Sequence, residues 1–224
     1  MSIADNIHQI RQELPAKVSL VVVTKMQTVA DIQQAYDSGI RVFGENKVQE
    51  LTTKQQQLPA DIEWHLLGHL QTNKVRYVAP FVALIHSVDS LRLLQELDKE
   101  AQKVGRVIDC LLEFYIAQEE SKFGLAYDEA LGILESKEYE ALRHVRICGV
   151  MGMASFVEDE RIIRKEFKNL VGYFHDLQQK FFAQAPSFNI ISMGMSGDYP
   201  LAVEEGSTMV RIGSAIFGAR QYPT

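Results

Sequence analysis

The sequence predicts an α/β fold: a closed (β/α)8 barrel of the TIM type with an extra helix at its N-terminus. Three observations lead there. Short apolar runs alternate with helix-like stretches along the whole chain, a pattern that means right-handed crossovers and a parallel sheet. There are eight such runs, and they fit into about 200 residues, close to what a compact barrel of this type needs. No linker, low-complexity tract or charge block interrupts them, so residues 1–224 are read as one domain. An open doubly wound sheet is the alternative arrangement of the same elements.

Residues 2–14 carry Ile3, Ile7 and Ile10 at helical spacing, and Pro15 stops that helix. The first strand covers 19–24. Thr28 can cap a helix that presents Val29, Ile32 and Tyr36 on one face, and Gly39 ends it. Residues 40–43 form the second strand, followed by a polar helix at 47–57. A third strand at 62–67 precedes a short helix at 73–78, which Pro80 terminates. The fourth strand covers 82–86. Residues 90–104 follow as an amphipathic helix with Leu94, Leu97, Ala101 and Val104 on one stripe.

The fifth strand spans 107–116, with a loop at 118–124 and a helix at 126–136. The sixth strand spans 145–150. The longest helix covers 159–182 and places Ile163, Phe167, Leu170, Phe174, Leu177 and Phe181 on one face. That spacing is core packing. The seventh strand lies at 188–192, a short helix at 200–205 and the eighth strand at 209–212.

Composition excludes several function classes. A formal charge of -6 argues against general nucleic-acid binding, which needs a cationic face. No apolar run approaches the ~20 residues of a membrane span. The polar N-terminus is no secretory signal. The two cysteines, Cys110 and Cys148, lie in apolar runs and read as small buried side chains. The expectation is a soluble cytoplasmic protein. No heptads or obvious apolar patch can be read, and a monomer is expected.

In a barrel, the loops after the strands share one face, where ligands bind. The first strand, Val21-Val22-Val23-Thr24, ends abruptly in Lys25. A partly desolvated lysine there could attack a carbonyl and form a Schiff base. Taken alone, the stretch is more simply a strand whose lysine points to water. The loops after strands seven and eight change that balance. Ser192-Met193-Gly194-Met195-Ser196-Gly197-Asp198 and Arg211-Ile212-Gly213-Ser214 supply glycines and hydroxyls suited to an anion. Pyridoxal 5'-phosphate needs both a lysine for its aldehyde and a cradle for its phosphate.

The remaining loops add Asn46, His69, Asp89, Ser121, Lys122 and Met153 to the same face. His65 and His69 have the spacing of a helical metal pair, but Gly68 lies between them and no third ligand accompanies them, so no metal site is expected. Dinucleotide, P-loop and nucleophile-elbow signatures are absent.

Motifs spread over nearly the whole chain now identify a family. They include Val-Val-Thr-Lys at 22–25, Phe-Gly-Glu-Asn at 43–46 and Trp-His-Leu-Leu-Gly-His-Leu-Gln-Thr-Asn-Lys at 64–74. His-Ser-Val-Asp-Ser at 86–90, Glu-Glu-Ser-Lys-Phe-Gly at 119–124 and Gly-Val-Met-Gly-Met-Ala at 149–154 continue the set. Ser-Met-Gly-Met-Ser-Gly-Asp at 192–198 and the run 206–218 complete it. Together they resemble the pyridoxal-phosphate homeostasis proteins.

The resemblance implies a barrel like the N-terminal domain of alanine racemase, with pyridoxal 5'-phosphate on Lys25. It implies phosphate contacts from Ser196, Gly213 and Ser214, and a cofactor lining that includes Asn46 and Ser192. Met153 is expected near the ring, and Arg211 matches an arginine facing the pyridine nitrogen. One departure is Glu113-Phe114-Tyr115-Ile116, where a Gln-Val-Asn-Ile-like run is more common, and it bears on the barrel floor and mouth.

The expected role is non-catalytic: a protein that carries and buffers the cofactor and hands it to client enzymes that use it. Alanine racemase-like enzymes add a β-rich domain supplying an opposing tyrosine base. Here the sequence ends at Thr224, which favours a carrier. The alternatives are an amino-acid racemase or lyase using the same cofactor, and a phosphosugar-binding barrel enzyme whose lysine attacks its substrate.

Overall fold

Eight parallel strands close on one another in sequence order, β1 through β8, with β8 paired back to β1. The structure is a computed structural model that describes residues 2–117 and 124–218. The strands are β1 (Ser19–Val23), β2 (Val42–Glu45), β3 (Glu63–Leu66), β4 (Leu84–Val88), β5 (Ile108–Tyr115), β6 (Val145–Met153), β7 (Ile190–Ser192) and β8 (Met209–Ile212). This is the expected barrel and not the open sheet.

The helices lie outside it. They are α1 (Ile3–Glu13), α2 (Val29–Asp37), α3 (Val48–Gln55), α4 (Val75–Val78), α5 (Leu91–Lys103), α6 (Tyr127–Leu134), α7 (Lys137–Glu140), α8 (Glu160–Phe181), α9 (Tyr199–Glu204) and α10 (Ser214–Phe217). The N-terminal helix α1 starts at a capping box in which Ser2 Oγ accepts from the Asp5 N–H and Asp5 accepts from the Ser2 N–H. It buries Ile7 and Ile10. The expected helix at 126–136 is α6, and Ser136 caps a further short helix, α7, just beyond it.

Alternation along each strand separates two apolar layers. Side chains pointing outward join the helices in the main core, where α8 contributes Ile163, Phe167, Leu170, Phe174 and Leu177. A smaller set points inward and plugs the barrel: Val21, Leu84, Leu111, Cys148, Met151 and Met209. Cys110 and Cys148 are both buried free thiols. Gly149 lets β6 and β7 meet: its φ is +153° and a Cβ there would stand 1.9 Å from the Ile190 carbonyl oxygen.

Two strands sit later than the hydrophobic pattern suggests. β2 continues to Glu45 and β4 to Val88, because ladder pairing persists beyond the apolar run into the residues of the mouth. No described helix is long and apolar enough to cross a membrane.

Candidate functional site

The C-terminal ends of the strands surround a cavity of about 370 Å³. Seven of the residues singled out from the sequence line it: Lys25, Asn46, Met153, Ser196, Arg211, Gly213 and Ser214. Ser192 does not. It lies fully buried one layer deeper, where its Oγ accepts from Arg211 Nη1 at 2.7 Å. Ser121 and Lys122 lie outside the described residues.

Lys25 extends β1 into the mouth and is half-buried. The residue before it is anchored twice. The Thr24 N–H donates to the Gly44 carbonyl at 2.9 Å, and Thr24 Oγ1 donates to Glu45 Oε1 at 2.6 Å. The residue after it, Met26, adopts a left-handed backbone with φ +63°.

Across the mouth, the loops after β7 and β8 meet at one oxygen. Ser196 Oγ accepts from the N–H groups of Gly213 and Ala215, each at 3.3 Å. Gly213 is needed because β8 passes close to β1: a Cβ there would stand 3.0 Å from the Val23 carbonyl oxygen. The loop after β7 is closed by the Met195 N–H donating to Asp198 Oδ1 at 2.6 Å. Burial pushes the Asp198 carboxyl up, and that hydrogen bond and Arg211 oppose the rise.

Below the cavity runs a polar layer. Arg211 Nη2 donates to the Gly152 carbonyl at 3.0 Å, so both ends of its guanidinium are held. Burial pushes its pKa down to about 10, which leaves it cationic at neutral pH. From Ser192 a hydrogen-bonded chain crosses the barrel: Ser192 Oγ to His86 Nδ1 at 3.0 Å, then His86 Nε2 to His65 Nδ1 at 3.0 Å. Burial depresses both histidines, His65 to about 4 and His86 well below its usual value, so both are neutral. Glu113 shares this layer, separated from Ser192 by Met151 in the strand register. Burial, with Asp89 nearby, pushes its pKa up to about 7 against the pull of Arg211.

The sequence did not single out His86 or Glu113 as members of this site. A period-2 reading of β4 could have found His86, since it shares the inward face with Leu84. His65 and His69 do not act together: His65 points into the barrel, and His69 Nδ1 stands 3.0 Å from Asp89 Oδ2 at the rim. No group of three potential metal ligands occurs among the described residues.

This donor set fits pyridoxal 5'-phosphate: a lysine at one wall, converging N–H donors and a hydroxyl at the other, and a fixed cation between them. The comparisons point the same way. A family model described as alanine racemase, N-terminal domain, matches residues 1–221. A protein of Aquifex aeolicus named pyridoxal phosphate homeostasis protein is 40% identical, over 85% of this chain and 82% of its own length. PipY of Synechococcus elongatus, solved with pyridoxal phosphate bound, is 37% identical with a TM-score of 0.86, over 97% of this chain and all of that one. An alanine racemase of Clostridium difficile matches at a TM-score of 0.74 and 15% identity, and this chain spans 56% of it. That last likeness is one of fold alone.

Proposed function

The chain belongs to the pyridoxal phosphate homeostasis proteins, within the alanine racemase N-terminal-domain family, and on that premise we propose that it is a non-catalytic carrier of pyridoxal 5'-phosphate. It holds the cofactor as a Schiff base on Lys25, buffers it, and releases it to enzymes that use it. One observation carries this reading: Lys25 and the Ser196–Gly213 cradle face each other across a single cavity, with Arg211 in its wall.

The bound group supplies an aldehyde and a phosphate. Lys25 would hold the group through its amine, a nucleophile suited to an aldehyde. The Gly213 and Ala215 N–H groups, which converge on Ser196 Oγ, and the Ser196 hydroxyl would supply donors to the phosphate. Arg211, cationic and fixed at both ends, would disfavour protonation of a basic ring nitrogen held near it, which would make the ring a poor electron sink. Asn46 and Met153 complete the walls. The match to homeostasis-protein relatives runs over most of their length, whereas the racemase match covers little more than half of the enzyme.

Adding pyridoxal 5'-phosphate to the purified protein should produce the visible absorbance of a lysine Schiff base. Borohydride reduction and mass spectrometry should then locate the cofactor mass on Lys25, and Lys25→Ala should abolish both signals. A wild type with no such band refutes the carrier. Exchange of the α-proton of alanine or serine in deuterated water, faster than with free cofactor, would make it a racemase or lyase instead.

A further inference from the structure

Beneath Lys25 lies a second lysine that the carrier reading leaves without a task. Lys54 sits on α3 and is 6% exposed. Its ammonium makes three bonds: to the Thr24 carbonyl at 2.8 Å, to Glu45 Oε1 at 2.6 Å and to Glu50 Oε2 at 3.2 Å. An ammonium has three N–H donors, so all are engaged. Glu50 Oε2 also accepts from the Met26 N–H at 3.0 Å. Thr24 Oγ1 reaches the same Glu45 oxygen that Lys54 does.

The residues on both sides of Lys25 are therefore tied to one buried cation. The carbonyl before it is bound directly, and the amide after it is bound through Glu50. Met26 is the one described non-glycine residue with positive φ. A non-glycine residue stays left-handed only where its surroundings over-determine it. Here the surroundings are the Lys54 network. Stability alone would be served at least as well by an apolar side chain, since an ammonium is costly to bury. What an apolar residue could not do is hold a carbonyl and, through a carboxylate, an amide.

We propose that Lys54, acting with Glu50, is the positioning residue for Lys25: it fixes the turn at 24–26 and with it the direction in which the Lys25 amine enters the mouth. Lys54 never meets the aldehyde. Its effect is on how fast and how tightly Lys25 captures one. The inference rests on Lys25 being the cofactor anchor.

The test uses the full chain and pyridoxal 5'-phosphate. Glu50→Ala removes the link to Met26. The double variant Lys54→Met with Glu45→Gln removes the cation together with the carboxylate it would strand. Both should form the Schiff-base band roughly tenfold more slowly and bind the cofactor roughly tenfold more weakly, the scale expected when a reacting group is misplaced. The Met26 amide should exchange with solvent faster in the unloaded variants. Glu50→Gln keeps an acceptor oxygen and should recover most of the capture.

Arg146→Met serves as control. It breaks an ion pair with Asp109 at the opposite end of the barrel and should leave capture unchanged. Wild-type capture in folded Glu50→Ala overturns the proposal. So does an equal loss of capture in Arg146→Met or in Glu50→Gln. If the double variant does not fold, the Glu50 pair decides. Absence of the band in wild type would instead remove the carrier reading itself, a distinct result.

Discussion

The two corners that face each other across the mouth are built differently. The corner at β1 and β2 is held by side-chain charge: Lys54, Glu45 and Glu50 lock the turn that carries Lys25. The corner at β7 and β8 is held by backbone N–H groups that donate to loop side-chain oxygens, Gly213 and Ala215 to Ser196 and Met195 to Asp198, and by a glycine that lets strands approach. The chemistry each serves explains the contrast. A nucleophile must point in one direction, so its backbone must be fixed from both sides. An anion needs only several donors converging on one place, and backbone N–H groups provide these without a side chain to order. The charged corner should therefore be fragile to substitution, and the backbone corner tolerant in stability but sensitive in affinity.

The largest effect tests the charged corner. Lys54→Met alone leaves the Glu45 carboxylate fully buried with its cation gone. It should destabilise the protein by about 3–5 kcal/mol in urea unfolding. Adding Glu45→Gln should recover much of that loss. A single variant that costs nothing would mean that the corner is not held by charge.

Between the corners, Glu113 in the polar layer offers the next effect. Its pKa stands at about 7 in the folded protein against 4.5 ordinarily, because burial disfavours the carboxylate. Below the lower value both folded and unfolded states carry the proton. Between the two values the folded state binds more protons, so stability falls as pH rises, and above about 7 the loss is complete. The total is about 3 kcal/mol at 1.36 kcal/mol per unit. Unfolding of wild type and Glu113→Gln compared from pH 4 to 8 should show this slope in wild type only. Parallel curves would remove Glu113 from the layer's electrostatics.

Ser196→Ala tests the backbone corner, with a smaller expected cost. Ser196 Oγ is partly exposed and takes two long bonds, so stability should change by about 1 kcal/mol or less. Affinity for pyridoxal 5'-phosphate should fall several-fold, while pyridoxal without its phosphate should bind as before. An equal loss for both would move the phosphate away from this corner.

These corners also divide what the sequence reveals from what it conceals. Lys25, Ser196 and Gly213 were legible because apolar runs end at them, and strand ends share one face in a barrel. Lys54 was not. It stands in the polar run Thr52-Thr53-Lys54-Gln55-Gln56-Gln57, which reads as a solvated helix face. Its burial follows from α3 packing over the Lys25 turn, a long-range contact that local pattern does not encode. The partner His65 meets was equally hidden: its spacing to His69 gave no usable pair, and the side chain it reaches is His86 on the neighbouring strand. Strand limits drifted where polar residues continue the ladder, as at Glu45 and Ser87.

The smallest effect separates strain from its restraint. Met26 pays for its left-handed backbone by roughly 1 kcal/mol, and its side chain is about half exposed, so it loses little by removal. Met26→Gly should relieve that strain but also enlarge the unfolded ensemble. The net change in unfolding free energy should thus lie within about 1 kcal/mol of zero. Met26→Val should cost more than Met26→Gly gains, because a β-branched residue tolerates this region poorly. If the Lys54 network, and not the strain, sets the direction of Lys25, Met26→Gly should capture cofactor at the wild-type rate, since its N–H still reaches Glu50. Slower capture in Met26→Gly, with Glu50→Ala unaffected, would invert the account: the intrinsic stiffness of residue 26 would be aiming the lysine, and the buried charges would only be filling the space behind it.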